Sequence, residues 1–141
     1  MSTYSIEKTL SANDSGETGG HQAGILVPKT IDILSFFPEL SINQKNPRSI
    51  IRLTDNENKI WVFNFIYYNN KFYGGTRNEY RLTGMTKYIN QNNLRTNDRI
   101  VLSQSSGGQY SIDYIRSKAT FESKTKILKL GNNWKVINIK K

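Results

Sequence analysis

Glu122-Ser-Lys124, with Asp113 upstream, is one place in this chain where residue types and spacing could do chemistry. Metal-dependent nucleases use two carboxylates to hold Mg2+ and a lysine to face the attacked phosphate. An acid two residues before a lysine also arises by chance in a lysine-rich chain. In an extended "TFESKTKIL" the two side chains are same-face neighbours, which makes an ordinary solvated ion pair. His21 is the only histidine and has no serine or cysteine constellation around it, so nothing supports it as a general base. The glycines of "YGGTRNEYR" lack the strand-to-loop spacing and the lysine of a phosphate loop. Two polar clusters remain. "SANDSGETGGHQAG" (11–24) brings Asn13, Asp14, Thr18, His21 and Gln22, and "GGTRNEYRLTG" (74–84) brings Arg77, Asn78, Glu79 and Arg81. Arginine forks onto guanine, asparagine onto adenine, and glutamate accepts from the cytosine amino group, so the second cluster suits base edges and the first is a similar donor and acceptor set. The plainer reading makes Arg77 and Glu79 a surface ion pair and Asn13 and Asp14 turn formers in their own loop.

Composition limits what these clusters can serve. The chain of 141 residues fits one domain with a core of its own, spanning 1–141. It has no cysteine and a single histidine, which excludes a disulfide framework and a cysteine or histidine metal site; no metal and no cofactor is expected. No apolar run is long enough to cross a bilayer, and "MSTYSIEKTL" lacks the layout of a signal peptide, so a soluble intracellular protein with no membrane partner is expected. Twenty basic residues against 11 acidic give a net charge of +9, which points to a polyanionic partner. The charge is uneven: residues 1–24 are net −2, residues 71–99 net +4 and residues 116–141 net +7. The glycine-rich opening loop is therefore not where phosphates are held.

The elements that must position the clusters read as strands. β-Branched and aromatic runs recur at 24–28, 49–54, 60–68, 79–84, 99–104, 110–115, 126–130 and 134–139, with turn chemistry in "DNENK", "NNKFYGG", "SSGGQ" and "GNN". Two short helices are expected. One covers 85–94, capped by Thr83 or Thr86 and ending near Asn92 or Asn93; the other covers 30–37, stopped by Pro38. The fold class is mainly β, an antiparallel barrel or sandwich of about seven to eight strands.

The two polar blocks, in this order, resemble the N-terminal effector-binding domain of the EcoRII family of restriction endonucleases, in which "NDSGETGGHQAG", "PK" and "GGTRNEYRLT" have counterparts. The resemblance covers most of the chain. It implies the open DNA-binding pseudobarrel shared with plant B-three type domains, and "MTKYINQNNLRTNDRIVL" resembles their helix and following strand, with Asn97-Asp98 where they often have Gly-Asp. It further implies two arms that close on the major groove of double-stranded DNA. The N-arm would be Ser11, Asn13, Asp14, Gly16, Thr18, Gly19, Gly20, His21 and Gln22; the C-arm would be Thr76, Arg77, Asn78, Glu79, Tyr80 and Arg81. Alternation along "NEYRLT" turns Tyr80 and Leu82 toward the core instead. Lys29, Lys71, Lys87 and Arg95 are the expected phosphate contacts. The same resemblance implies a prokaryotic, cytoplasmic chain that does not itself cut DNA and is monomeric when isolated, either a domain of a larger restriction enzyme whose nuclease domain lies in the same full-length chain or a freestanding binding protein. The alternatives are the nuclease of Asp113, Glu122 and Lys124, and an RNA-binding barrel presenting the aromatics of "FNFIYY".

Because most of the positive charge lies outside the N-arm, binding to duplex DNA should fall steeply with salt. The expected slope of log affinity against log salt is about −0.9 for each phosphate neutralised. A salt titration by fluorescence anisotropy measures it, and a flat profile contradicts the electrostatic reading.

Overall fold

The alternation of "IWVFNFIYY" and "RIVLSQS" sets one face of each strand inward, and the sheet curls around those faces. The structure, a computed structural model, describes residues 3–15, 24–41, 43–69, 74–75, 78–117 and 134–139. Its strands are β1 (Thr3–Thr9), β2 (Ile25–Val27), β3 (Arg48–Thr54), β4 (Ile60–Tyr68), β5 (Glu79–Thr83), β6 (Arg99–Ser105), β7 (Tyr110–Ile115) and β8 (Trp134–Ile139). Short helices are α1 (Ala12–Ser15), α2 (Ile31–Leu34) and α3 (Thr86–Gln91). All eight strands form one sheet in the order β2-β5-β4-β3-β7-β6-β1-β8. Pairing is antiparallel except where β3 meets β7, a parallel contact limited to Leu53↔Tyr110 and Thr54↔Ser111. The sheet's two edge strands are brought together by a side chain: the Trp134 indole N–H of β8 donates to the Leu26 carbonyl of β2 at 2.9 Å. The result is an open, curled half-barrel.

Inward residues make one core, with Ile6, Leu53 and Phe63 wholly buried. At one end of the barrel, Phe36 and Phe37, just after α2, pack on Tyr4, Phe65 and Tyr110, Phe37 stacking on Phe65 at 4.5 Å. At the other end α3 inserts Tyr88, edge-on to Trp61 at 5.0 Å. The turn before β4 is built by Asp55, whose carboxylate accepts the backbone N–H of Glu57 and Lys59. A further bond from the Trp61 indole N–H holds Asp55 below the usual carboxylate range.

Several expectations need amendment. β1 was not anticipated: its Ser5, Glu7 and Lys8 are polar yet buried, which hides the alternation. Residues 11–24 were expected to be loop throughout, whereas Ala12–Ser15 form a helical turn. The residue before α3 is Met85, with no side-chain cap; Thr83 ends β5 and Thr86 is already helical. The end of α3 is as expected, at Asn92 and Asn93: Asn93 has φ 52°, Leu94 N–H reaches Ile89 O at 2.9 Å and Asn93 N–H reaches Asn90 O at 3.1 Å, a Schellman closure. The strand expected at 126–130 lies outside the described residues.

Gly24 joins residues 11–24 to β2 with φ +93°, and a Cβ there would meet Thr83 Cγ2 at 2.6 Å and the Leu82 carbonyl oxygen at 2.7 Å. Gly108, in the β6–β7 turn, has φ +88° with nothing within 4 Å of that position. Gly108→Ala should therefore cost roughly 1 kcal/mol for the backbone conformation alone, and Gly24→Ala at least about 2 kcal/mol, because β5 backbone stands in the way. Urea unfolding of the two variants checks the order, which equal losses would contradict.

Candidate nucleic-acid interface

Both polar clusters hang on one short ladder. β2 pairs antiparallel with β5 through Ile25↔Leu82, Leu26↔Arg81 and Val27↔Tyr80. The segment after β1 rejoins the sheet at Ile25, beside the end of β5, while the segment after β4 rejoins at Glu79, beside the end of β2. The two segments thus meet the ladder at its opposite ends. Their roots, Ile25 (opposite Leu82) and Glu79, are separated by about 10 Å along the strands, three residues at a strand's rise. Alternation turns Tyr80 and Leu82 inward: Leu82 is buried, and Tyr80 stacks on Tyr67 at 4.3 Å and Phe65 at 5.4 Å. Burial, with Tyr67 beside it, raises the Tyr80 hydroxyl above the ordinary phenol value.

The N-arm begins on a rigid footing. Leu10 is buried, its N–H donates to Asp98 O and its carbonyl accepts from Asn97 N–H, both at 2.9 Å. Asn97 has φ 78°, which explains why a glycine also suits this position. Asp98 is held by N–H groups of Arg95 (2.7 Å) and Ser117 (2.8 Å). Ser11 and Asp14 then cap α1 reciprocally: Asp14 N–H donates to Ser11 Oγ at 3.1 Å, and Ser11 N–H to Asp14 Oδ2 at 3.0 Å. That same carboxylate oxygen lies 3.1 Å from Lys8 Nζ, with both side chains less than a tenth exposed. Asp14, expected as a reading residue, is thus placed as the anchor of the arm, whereas Asn13 on the same turn faces outward. Gly16, Thr18, Gly19, Gly20, His21 and Gln22 lie outside the described residues.

The C-arm root is equally tied. Asn69, buried at the end of β4, accepts from Asn46 N–H at 2.7 Å and donates to Gln44 O at 2.8 Å. Tyr67 donates its hydroxyl to Asn78 Oδ1. Glu79 pairs with Arg81: the Arg81 Nε reaches Glu79 Oε2 at 2.8 Å, and its Nη1 donates to Gly24 O at 2.8 Å. Arg81 therefore links the base of one arm to the base of the other. Thr76, Arg77 and Lys71 lie outside the described residues. Of the expected phosphate contacts, Lys29 is exposed beside the C-arm root, its Nζ 5.9 Å from the Tyr67 ring. Lys87 and Arg95 are exposed on and after α3, the helix that touches α1 at the N-arm root. Cations therefore flank the roots of both segments. Arg116 joins them: it donates to the carbonyls of Asn92 (2.7 Å) and Asn93 (3.3 Å), a placement that only the fold reveals.

The rival carboxylate reading gains nothing here. Asp113 is exposed on β7 and accepts the N–H of its neighbour Tyr114 at 2.8 Å. Among the described residues no three histidines, cysteines or acids gather to hold a metal; Glu122 and Lys124 lie outside them.

Comparison with known proteins fits this geometry. The family model described as restriction endonuclease EcoRII, N-terminal, matches residues 1–121. The type II restriction enzyme EcoRII of Escherichia coli is 38% identical over 79 residues, 54% of this chain and 19% of that enzyme. Auxin response factor 16 of Arabidopsis thaliana is 29% identical over 116 residues, 82% of this chain and 16% of that protein. The chain thus spans less than a fifth of either relative. Among solved structures, the chain from an Arabidopsis FUS3-DNA complex superposes with a TM-score of 0.58 at 18% identity, covering 79% of this chain and 96% of that one, which places the fold.

Lys8→Met strands the Asp14 carboxylate in the interior and should cost about 3–5 kcal/mol, the usual loss when one partner of a buried pair is removed. Pairing it with Asp14→Asn removes the stranded charge while keeping a capping group, so the double variant should be more stable than Lys8→Met alone. A double-mutant cycle by urea unfolding measures this, and simple additivity contradicts the coupling.

Proposed function

The chain belongs to the family of the restriction endonuclease EcoRII N-terminal domain, and on that premise we propose that it binds double-stranded DNA sequence-specifically, its two arms reading one major groove. The carrying observation is the pair of arms rooted at opposite ends of the β2–β5 ladder and flanked by cations. A major groove is about 12 Å wide, comparable to the roughly 10 Å between the roots of the two segments on the ladder. Arg77 and Asn78 supply bidentate base contacts, and Asn13, Thr18, His21 and Gln22 supply the opposing set. Gly16, Gly19 and Gly20 let the N-arm backbone approach closely. Lys29, Lys71, Lys87 and Arg95 hold phosphates, which position without reading sequence. Ser11, Asp14, Glu79 and Arg81 act one step back, as the struts that hold the arms in register.

The relatives' names support the finer reading. One is a restriction enzyme and the structural neighbour is a DNA complex. We read this chain as the target-recognition or effector part of a prokaryotic, intracellular type II restriction endonuclease, monomeric in isolation, with cutting done by residues outside it.

Arg77→Ala should weaken cognate binding by roughly 1–3 kcal/mol and relax preference at one base pair, and His21→Ala should behave alike despite the negative charge of its segment. Lys87→Ala should instead weaken all sequences equally and flatten the salt slope by about one unit. Competition of each variant against cognate and single-mismatch duplexes at fixed salt separates these effects. Wild-type affinity and discrimination in both arm variants would overturn the two-arm reading.

A further inference from the structure

β3 is paired with β4 along its whole length but meets β7 only at Leu53 and Thr54. Residues 48–51 therefore have no strand on that side among the described residues. The direction of their free groups follows from the ladder. Tyr67 N–H donates to Pro47 O at 3.0 Å, one step before the Arg48↔Ile66 pair. Antiparallel pairs alternate between bonded and non-bonded, so residues 49, 51 and 53 bond toward β4, while Arg48 and Ile50 aim N–H and C=O away from it. Ile50 opens into a groove of about 590 Å³ whose walls are Ile50 and Arg52 on one side and the hairpin end Gly108, Gln109 and Ser111 on the other, and Arg48 lies two residues beyond it on the same face of β3. Ile50 is 53% exposed. Arg48 and Arg52, at every second position around it, are exposed and have neither hydrogen bond nor ion pair among the described residues.

We propose that this groove takes an extended acidic peptide from another protein, which adds to β3 as a strand with carboxylates facing Arg48 and Arg52 and an apolar side chain over Ile50. The open edge offers donors and acceptors alternately, which an extended backbone satisfies and a phosphate, an acceptor only, does not. The arginines select negative side chains. A second copy is disfavoured by a net charge of +9, and residues 118–133 of this chain carry four lysines against one glutamate. The site faces away from the β2–β5 ladder, with β4 between them in the sheet, so the inference does not depend on the DNA reading.

The test is fluorescence anisotropy of the full chain with a short labelled peptide of the pattern Glu-Thr-Val-Thr-Glu, which sets two carboxylates and a valine on one face of an extended strand. Saturable binding is expected. It should weaken about ten-fold or more in Arg48→Ala/Arg52→Ala, and similarly when alternate amides of the peptide are N-methylated, with duplex DNA affinity unchanged. The N-methylated peptide probes the backbone edge without altering the protein. No saturable binding to the wild-type chain, or binding that ignores both changes, overturns the proposal. So does a double variant that loses duplex affinity while the peptide still binds, which assigns the groove to nucleic acid.

Discussion

The structure depends on one constraint: the three residue pairs between β2 and β5 fix where one arm ends and the other begins. Neither arm could hold a defined position from its own composition, since both are rich in glycine and short polar side chains that support many conformations. The ladder removes that freedom at its ends. Gly24 lets β2 press against the β5 backbone closer than any side chain would permit, and Arg81 crosses the ladder to bond the carbonyl of that same glycine. The Trp134 indole then ties β2 to β8, so that the edge strand carrying the ladder is held by the far side of the sheet as well.

Beneath the N-arm the chain uses polar residues where a barrel would ordinarily use apolar ones. β1 lies between β6 and β8, and its buried Ser5 meets Ser103 at 2.8 Å. Its Glu7 lies 3.4 Å from Arg99 and 3.9 Å from Lys135. Lys8 reaches forward to Asp14. Such pairs add little net stability over a packed apolar equivalent, but breaking one is costly, and that asymmetry favours a single arrangement. The bulk of the stability comes from the core between the two ends of the barrel, where Phe37 stacks on Phe65 and Tyr88 meets Trp61. The peptide-accepting edge of β3 sits where the same curled sheet splits, because β3 and β7 run parallel and touch only at Leu53 and Thr54.

Sequence was most legible where one face is apolar. β4, β6 and β7 carry inward residues at alternate positions, and the inward turn of Tyr80 and Leu82 follows from the same period. β1 was illegible because its buried partners, Ser103, Arg99 and Lys135, are remote in the chain. The capping pattern Ser11-x-x-Asp14 was present in the sequence, but four glycines in the segment favoured a loop, and the short helix appears only with Lys8 beneath it. Arg81 and Asp14 have the chemistry of base readers; their use as struts depends on Gly24 and Lys8, which no local rule connects to them. Family resemblance proposes the arms, and physical contacts sort the described residues at their roots.

The central claim is that both arms enter one major groove. It is tested most directly by selecting bound sites from a random duplex library and replacing purines of the enriched site with 7-deaza analogues, which remove the major-groove N7 acceptor and leave the minor groove intact. The expected result is an enriched sequence whose binding is lost on 7-deaza substitution at adjacent positions. No enriched sequence, or an enriched one bound equally well with 7-deaza purines throughout, would contradict it.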